Sequence, residues 1–202
     1  MTVAQPTEPD RGRALYVGAC RIDLVRRAGT VRILDDAHLA RTVARALEAA
    51  GAPTPASLTV VLTDDEELQE LNRAHLDRDE PTDVLSFPML EPSAYPDHPG
   101  KQAQAQAGGA DAAAAPAPMA PRVPSAGERV HIGDIAISVE RAIEQAEAGR
   151  GGQTGNVRWS PADELRLLVT HGVLHLCGWD HAEPDEEAAM RSLEQRLLAE
   201  GR

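Results

Sequence analysis

Residues 171 to 181 read His171-Gly172-Val173-Leu174-His175-Leu176-Cys177-Gly178-Trp179-Asp180-His181, and this run constrains the fold more than any other part of the chain. The run reads as one helix end and the turn that follows it, and beside Val173, Leu174 and Leu176 a helical histidine pair alone could be ordinary. At about 3.6 residues per turn, His171 and His175 then share one helix face, a turn apart. Gly178 ends that helix, because glycine enters the left-handed conformation at little steric cost. The chain swings back, and His181 closes a third corner. Three neutral imidazoles suit a zinc-type ion at about 2.0 to 2.1 Å and leave the fourth tetrahedral position to water, the arrangement of a catalytic rather than a structural site. The spacing therefore predicts a metal on His171, His175 and His181, and a hydrolase. Cys177 lies two residues after His175, projects about 200° around the helix from it, and reads as a small buried residue rather than a ligand. Nickel, copper and iron also bind imidazole, so spacing alone does not choose the metal.

At 202 residues the chain is expected to form one domain with a substantial core. Aromatic residues make up only 2% against 42% hydrophobic, so Leu, Val, Ile and Ala must fill that core. Two cysteines, Cys20 and Cys177, are too few for a disulfide-stapled secreted domain, and a reducing cytoplasm is expected. The N-terminus has no apolar signal core and no run approaches the ~18 to 20 apolar residues of a membrane span, so no membrane partner is expected. A formal net charge of -12 argues against coating nucleic acid by bulk attraction, although an acidic body can still carry a local basic face. Arg21, Arg26, Arg27, Arg32, Arg41 and Arg45 gather near the N-terminus and read as a solvated face.

Residues 1–13 read as a disordered lead, and residues 14–200 as the folded domain. One or two strands are expected around Leu15 to Val25, then a helix capped by Asp35 or Asp36 and ended by Gly51 and Pro53. Ser57 to Thr63 reads as a strand, followed by a helix capped by Thr63 or Asp64. Asp83 to Phe87 and His131 to Val139 read as two further strands, with a helix from Arg141 to Ala148 and two C-terminal helices. In the last of these, Ala188, Leu193 and Leu197 are expected to face inward. Residues 92–127 are dominated by Ala, Pro, Gly and Gln, and the composition predicts a flexible insertion between two adjacent strands, an enlarged hairpin loop.

The histidine run, Leu71-Asn72, Pro81-Thr82-Asp83-Val84-Leu85-Ser86-Phe87-Pro88 and Gly133-Asp134-Ile135-Ala136-Ile137-Ser138 together resemble the YbeY family of bacterial endoribonucleases. The match runs from about Leu58 to Leu198 once the insertion is set aside, with a weaker one over the N-terminal strands. The resemblance implies a single α+β domain with a small mixed four-stranded sheet and about five helices. It also implies one zinc ion on the three histidines and cleavage of single-stranded RNA rather than DNA. Maturation of ribosomal RNA, notably the 3′ end of the 16S small-subunit RNA, and ribosome quality control are the processes it implies, with rRNA or the ribosome as partner. Relatives place an arginine shortly before the Pro-Thr-Asp-Val-Leu-Ser-Phe motif. This chain has Leu76 there, and Arg73 and Arg78 stand nearby to supply the charge.

In zinc proteases of the H-E-x-x-H type, a glutamate directly follows the first ligand and acts as general base. Here Gly172 takes its place, which turns the site away from peptide hydrolysis. No catalytic group beyond the metal-bound water is assigned: Asp180 is expected to orient a histidine, and Asp83 and Ser86 to cap or turn a strand. RNA brings its own 2′-hydroxyl, so either water or that hydroxyl can be the nucleophile. The alternative is a ribosome-associated assembly factor whose zinc is structural.

Overall fold

A computed structural model describes residues 11–100, 129–149 and 159–201. Gly18 takes a positive φ of 55° and reverses the chain between β1 (Arg11–Val17) and β2 (Cys20–Arg26), which pair antiparallel. Helix α1 (Asp36–Ala49), capped by the Asp35 carboxylate accepting from the His38 amide at 2.8 Å, crosses over to β3 (Ala56–Thr63) beside β2 in parallel. A second crossover begins with α2 (Asp65–Leu76), capped by Asp64, and ends with β5 (Val130–Ser138) parallel to β3. β4 (Val84–Pro88) lies outside β5 and antiparallel to it, giving the order β1-β2-β3-β5-β4. The expected α+β class and adjacent β4–β5 pairing are present. The sheet has five strands rather than four, because the N-terminal segment folds as a complete hairpin.

Alternation divides the strands between two faces. Ile22, Leu24, Leu58, Val60, Leu62, Ile135 and Ile137 point into the main core with α1 and with α4 (Pro161–Leu176), while Leu85 and Ala136 point the other way onto Leu68 of α2. Helix α3 (Val139–Glu147) and α5 (Pro184–Glu200) pack against α4, so the helix carrying two histidines is among the most enclosed elements of the fold. Each fully buried aliphatic side chain contributes about 1.5 to 3 kcal/mol. Tyr95 and Trp179 join this largely aliphatic core near the C-terminal end of α4. Among the described residues, no helix is long and apolar enough to cross a membrane.

Three expectations shift. Arg11, Gly12 and Arg13 belong to β1 rather than to a lead, since strand pairing with Arg26, Val25 and Leu24 uses backbone groups and needs no apolar side chain. Residues 1–10 lie outside the described residues. The first nine residues of the expected insertion are described and touch the core at two points: a short 3-10 turn at Pro92–Ala94 leads into buried Tyr95, and Gly100 is also buried. Residues 101–127 lie outside the described residues. In α5 the inward stripe is Met190, Leu193 and Leu197, with Ala189 against the core and Ala188 exposed, because Ala188 sits beside that stripe.

Four of the six N-terminal arginines form salt bridges. Arg21 pairs with Asp23, Arg26 and Arg32 with Asp36, and Arg27 with Glu67.

Candidate metal centre

Ser160 opens α4 with a capping box, its hydroxyl accepting from the Asp163 amide while the Asp163 carboxylate accepts from the Ser160 amide, and Pro161 pre-sets the first turn. Four turns later the Cys177 amide donates to the carbonyls of Val173 and Leu174. Gly178 then takes a φ of 81°, the left-handed conformation expected for it. The Gly178 amide donates to His175 O and the Trp179 amide to Leu174 O. This return brings His181 back over the helix, so one nitrogen from each of His171, His175 and His181 lies within 4.8 Å of the others. His171 and His175 are half-buried, and His181 is exposed.

The outer nitrogens decide what the inner ones can do. His175 Nδ1 lies 2.9 Å from the Trp179 carbonyl, which only accepts, so Nδ1 carries the hydrogen and Nε2 of the neutral ring carries a lone pair. Burial, and then the neighbouring His171 and His181, push the His175 pKa down to about 4, outweighing the opposite pull of the Trp179 carbonyl and Asp180. The ring is therefore neutral at pH 7. His171 Nδ1 donates to Glu194 Oε1 at 2.7 Å, which turns its Nε2 inward as well. The two Nε2 atoms stand 3.0 Å apart. Facing lone pairs at that distance repel, and only a proton or a metal ion between them removes the repulsion. A proton serves two nitrogens, whereas the third imidazole could complete a metal's donor set. The residues fit a borderline metal ion bound by nitrogen, with a carboxylate and a backbone carbonyl orienting its ligands.

The turn that carries His181 is braced from outside. Pro92 packs on Gly178, the Asp180 amide donates to Gly100 O at 2.7 Å, and the His98 ring stacks on Trp179 with centroids 4.0 Å apart. The Asp180 carboxylate accepts from the His181 amide at 2.8 Å, so it stiffens the turn and the orientation of a ring falls to Glu194. Cys177 is fully buried beside Tyr95, its thiol pushed up to about 12 by that burial, and it stands outside the ligand cluster.

A cleft of about 670 Å³ opens in front of the imidazoles, bounded by β4, α4 and α5. Asp83 and Ser86 both line it and both are engaged: Asp83 Oδ2 accepts from Gln145 Nε2 at 3.0 Å, and Ser86 Oγ donates to the Gly172 carbonyl at 3.1 Å. Leu76 also lines the cleft, while Arg73 and Arg78 are not among its walls. Gly172 lies where α4 presses on the sheet. A Cβ there would stand 3.1 Å from Val84 Cγ2 and 3.3 Å from both Ile135 Cγ2 and Ser86 Oγ. Glu194 was missed from the sequence; its signal was weak but present, since it falls four residues after Met190 on the inner side of α5.

Residues 27–202 match the family model described as Endoribonuclease YbeY, so the likeness reaches further upstream than Leu58. A protein of that name from Salinispora tropica is 44% identical over 170 residues, covering 83% of this chain and 87% of its own. Others of that name come from Symbiobacterium thermophilum, at 37% over 162 residues (79% and 81% covered), and Thermobifida fusca, at 36% over 178 residues (88% and 92%). A Thermotoga maritima protein solved in solution overlaps this chain with a TM-score of 0.43 at 21% identity, covering 81% of this chain and 78% of that one.

Proposed function

The chain belongs to the YbeY family of endoribonucleases, and on that premise we propose that it cuts single-stranded RNA with one zinc ion held by His171, His175 and His181. The observation that carries this reading is the pair of Nε2 atoms 3.0 Å apart beside a third imidazole, at the mouth of an open cleft. Zinc supplies charge that polarises a phosphoryl oxygen or lowers the pKa of a water toward about 7. Glu194 and the Trp179 carbonyl hold the ligand rings in the donor tautomer. Exposure of His181 toward solvent supports a catalytic site over a closed structural one, and with it the nuclease over an assembly factor with structural zinc. Peptide hydrolysis is disfavoured by Gly172, where β4 and β5 leave no room for the protease glutamate.

Ribosomal RNA is the substrate that family membership suggests, with the 3′ end of 16S rRNA as the cut and ribosome quality control as the setting. The deciding experiment incubates zinc-loaded protein with single-stranded RNA and with an unstructured polypeptide, each with and without chelator. RNA cleavage that chelator abolishes, with the polypeptide intact, is the expected result. Chelator-insensitive RNA loss, or cleavage of the polypeptide alone, would overturn the reading.

A further inference from the structure

The cleft in front of the imidazoles is rich in negative charge. Asp83, Glu164, Glu187 and Glu194 line it, and against these four carboxylates Arg191 is the one arginine or lysine among its lining residues. A strand of RNA carries a negative phosphate at every step, and carboxylates repel it. Something in the wall must offset that repulsion. Arg191 stands three residues before Glu194 on α5, so its side chain neighbours the carboxylate that holds His171.

Arg191 is also open to a ligand. Its guanidinium meets Glu187 Oε1 at 2.5 Å, one turn back on the same helix, and the two side chains are 47% and 51% exposed. An ion pair this open adds little stability, so a phosphate can replace Glu187 as partner. Three other arginines are committed: Arg26 shares Asp36 in a part-buried pair, Arg141 bonds Asp65, and Arg166 is buried with its guanidinium on the Leu198 carbonyl.

We propose that Arg191 grips a backbone phosphate of the RNA strand beside the imidazole cluster, with Glu187 keeping the guanidinium aimed into the cleft until the phosphate takes its place. The assignment rests on the nuclease reading and deepens it. A planar guanidinium matches two phosphate oxygens at once. Such a contact sets affinity for the backbone and the position of the strand, and carries no base preference.

The test uses zinc-loaded full-length protein, a short single-stranded 2′-O-methyl RNA followed by fluorescence anisotropy across a salt series, and cleavage of the matching unmodified RNA. Arg191→Ala should weaken binding roughly five- to tenfold and lower the salt slope by roughly one. In cleavage it should raise KM far more than it lowers kcat, and Arg191→Lys should recover part of the loss. Glu187→Gln should tighten binding roughly two- to threefold by removing a competing charge, and the gain should vanish in the Glu187→Gln/Arg191→Ala double variant. Wild-type affinity and salt slope in Arg191→Ala, while the wild type still cuts RNA, would overturn the assignment alone. A lowered melting temperature with an unmoved salt slope would overturn it too, as a structural role. Wild-type protein that neither binds nor cuts RNA would instead bring down the nuclease reading, and this one with it.

Discussion

His171 and His175 reach the same point by different supports. The Trp179 carbonyl that orients His175 is backbone and survives any side-chain change, whereas His171 depends on the Glu194 carboxylate at 2.7 Å. Glu194→Ala should therefore free the His171 ring and lower zinc affinity roughly 10- to 100-fold. Glu194→Gln keeps an acceptor oxygen and loses the charge, so it should fall between that variant and the wild type. Competition against a chromophoric chelator measures both; unchanged affinity in Glu194→Ala would show that the carboxylate does not hold the ligand. The three histidines were legible because their relation is local, set by helical period and one glycine. Glu194 was not, since its distance from His171 depends on how two helices dock, which spacing does not encode.

Helix α4 meets the sheet through Gly172, and this contact sets the height of both histidines above β4. A Cβ at 172 meets side-chain atoms of Val84, Ile135 and Ser86 at 3.1 to 3.3 Å, so small shifts absorb alanine, whose better helix propensity offsets part of the strain. Glutamate is another matter. Gly172→Glu drives a long charged side chain between α4 and β4, and overpacking of this kind costs about 1 to 3 kcal/mol before desolvation of the charge is added. The variant should melt several degrees lower, bind zinc more weakly and gain no peptide cleavage; wild-type melting would show that the interface has slack. Two helices could be read from their caps, with Asp35 and Asp64, each one of two candidates, opening the helix that follows. The strap from Pro92 to Gly100 could not. Average composition hides Tyr95 and His98, whose partners at Cys177 and Trp179 lie far along the chain. β1 was cut short for a similar reason, because its pairing with β2 is a backbone property and Arg11 to Arg13 look like a tail.

Across the molecule, the centre joins parts that the core holds unequally. His171 and His175 stand on an enclosed helix, while His181 sits on a turn braced by the strap and Glu194 comes from the last helix. An ion that binds all three imidazoles binds only the folded chain, and so adds RT ln(1 + [L]/Kd) to its stability, about 2.7 kcal/mol at a hundredfold excess over Kd. For a domain of this size each kcal/mol moves the melting temperature by about 2 to 4 °C, so zinc should raise it by roughly 5 to 10 °C. The chelated protein should still unfold cooperatively, because the aliphatic core around Leu58, Ile135, Leu165 and Leu174 is complete without a metal. Melting by circular dichroism with zinc, with chelator, and for His175→Ala under both conditions separates the cases. His175→Ala should melt at one temperature regardless of zinc. A chelated wild type with no cooperative transition would instead make the metal a structural one, and a wild type indifferent to zinc would remove it from the three histidines altogether.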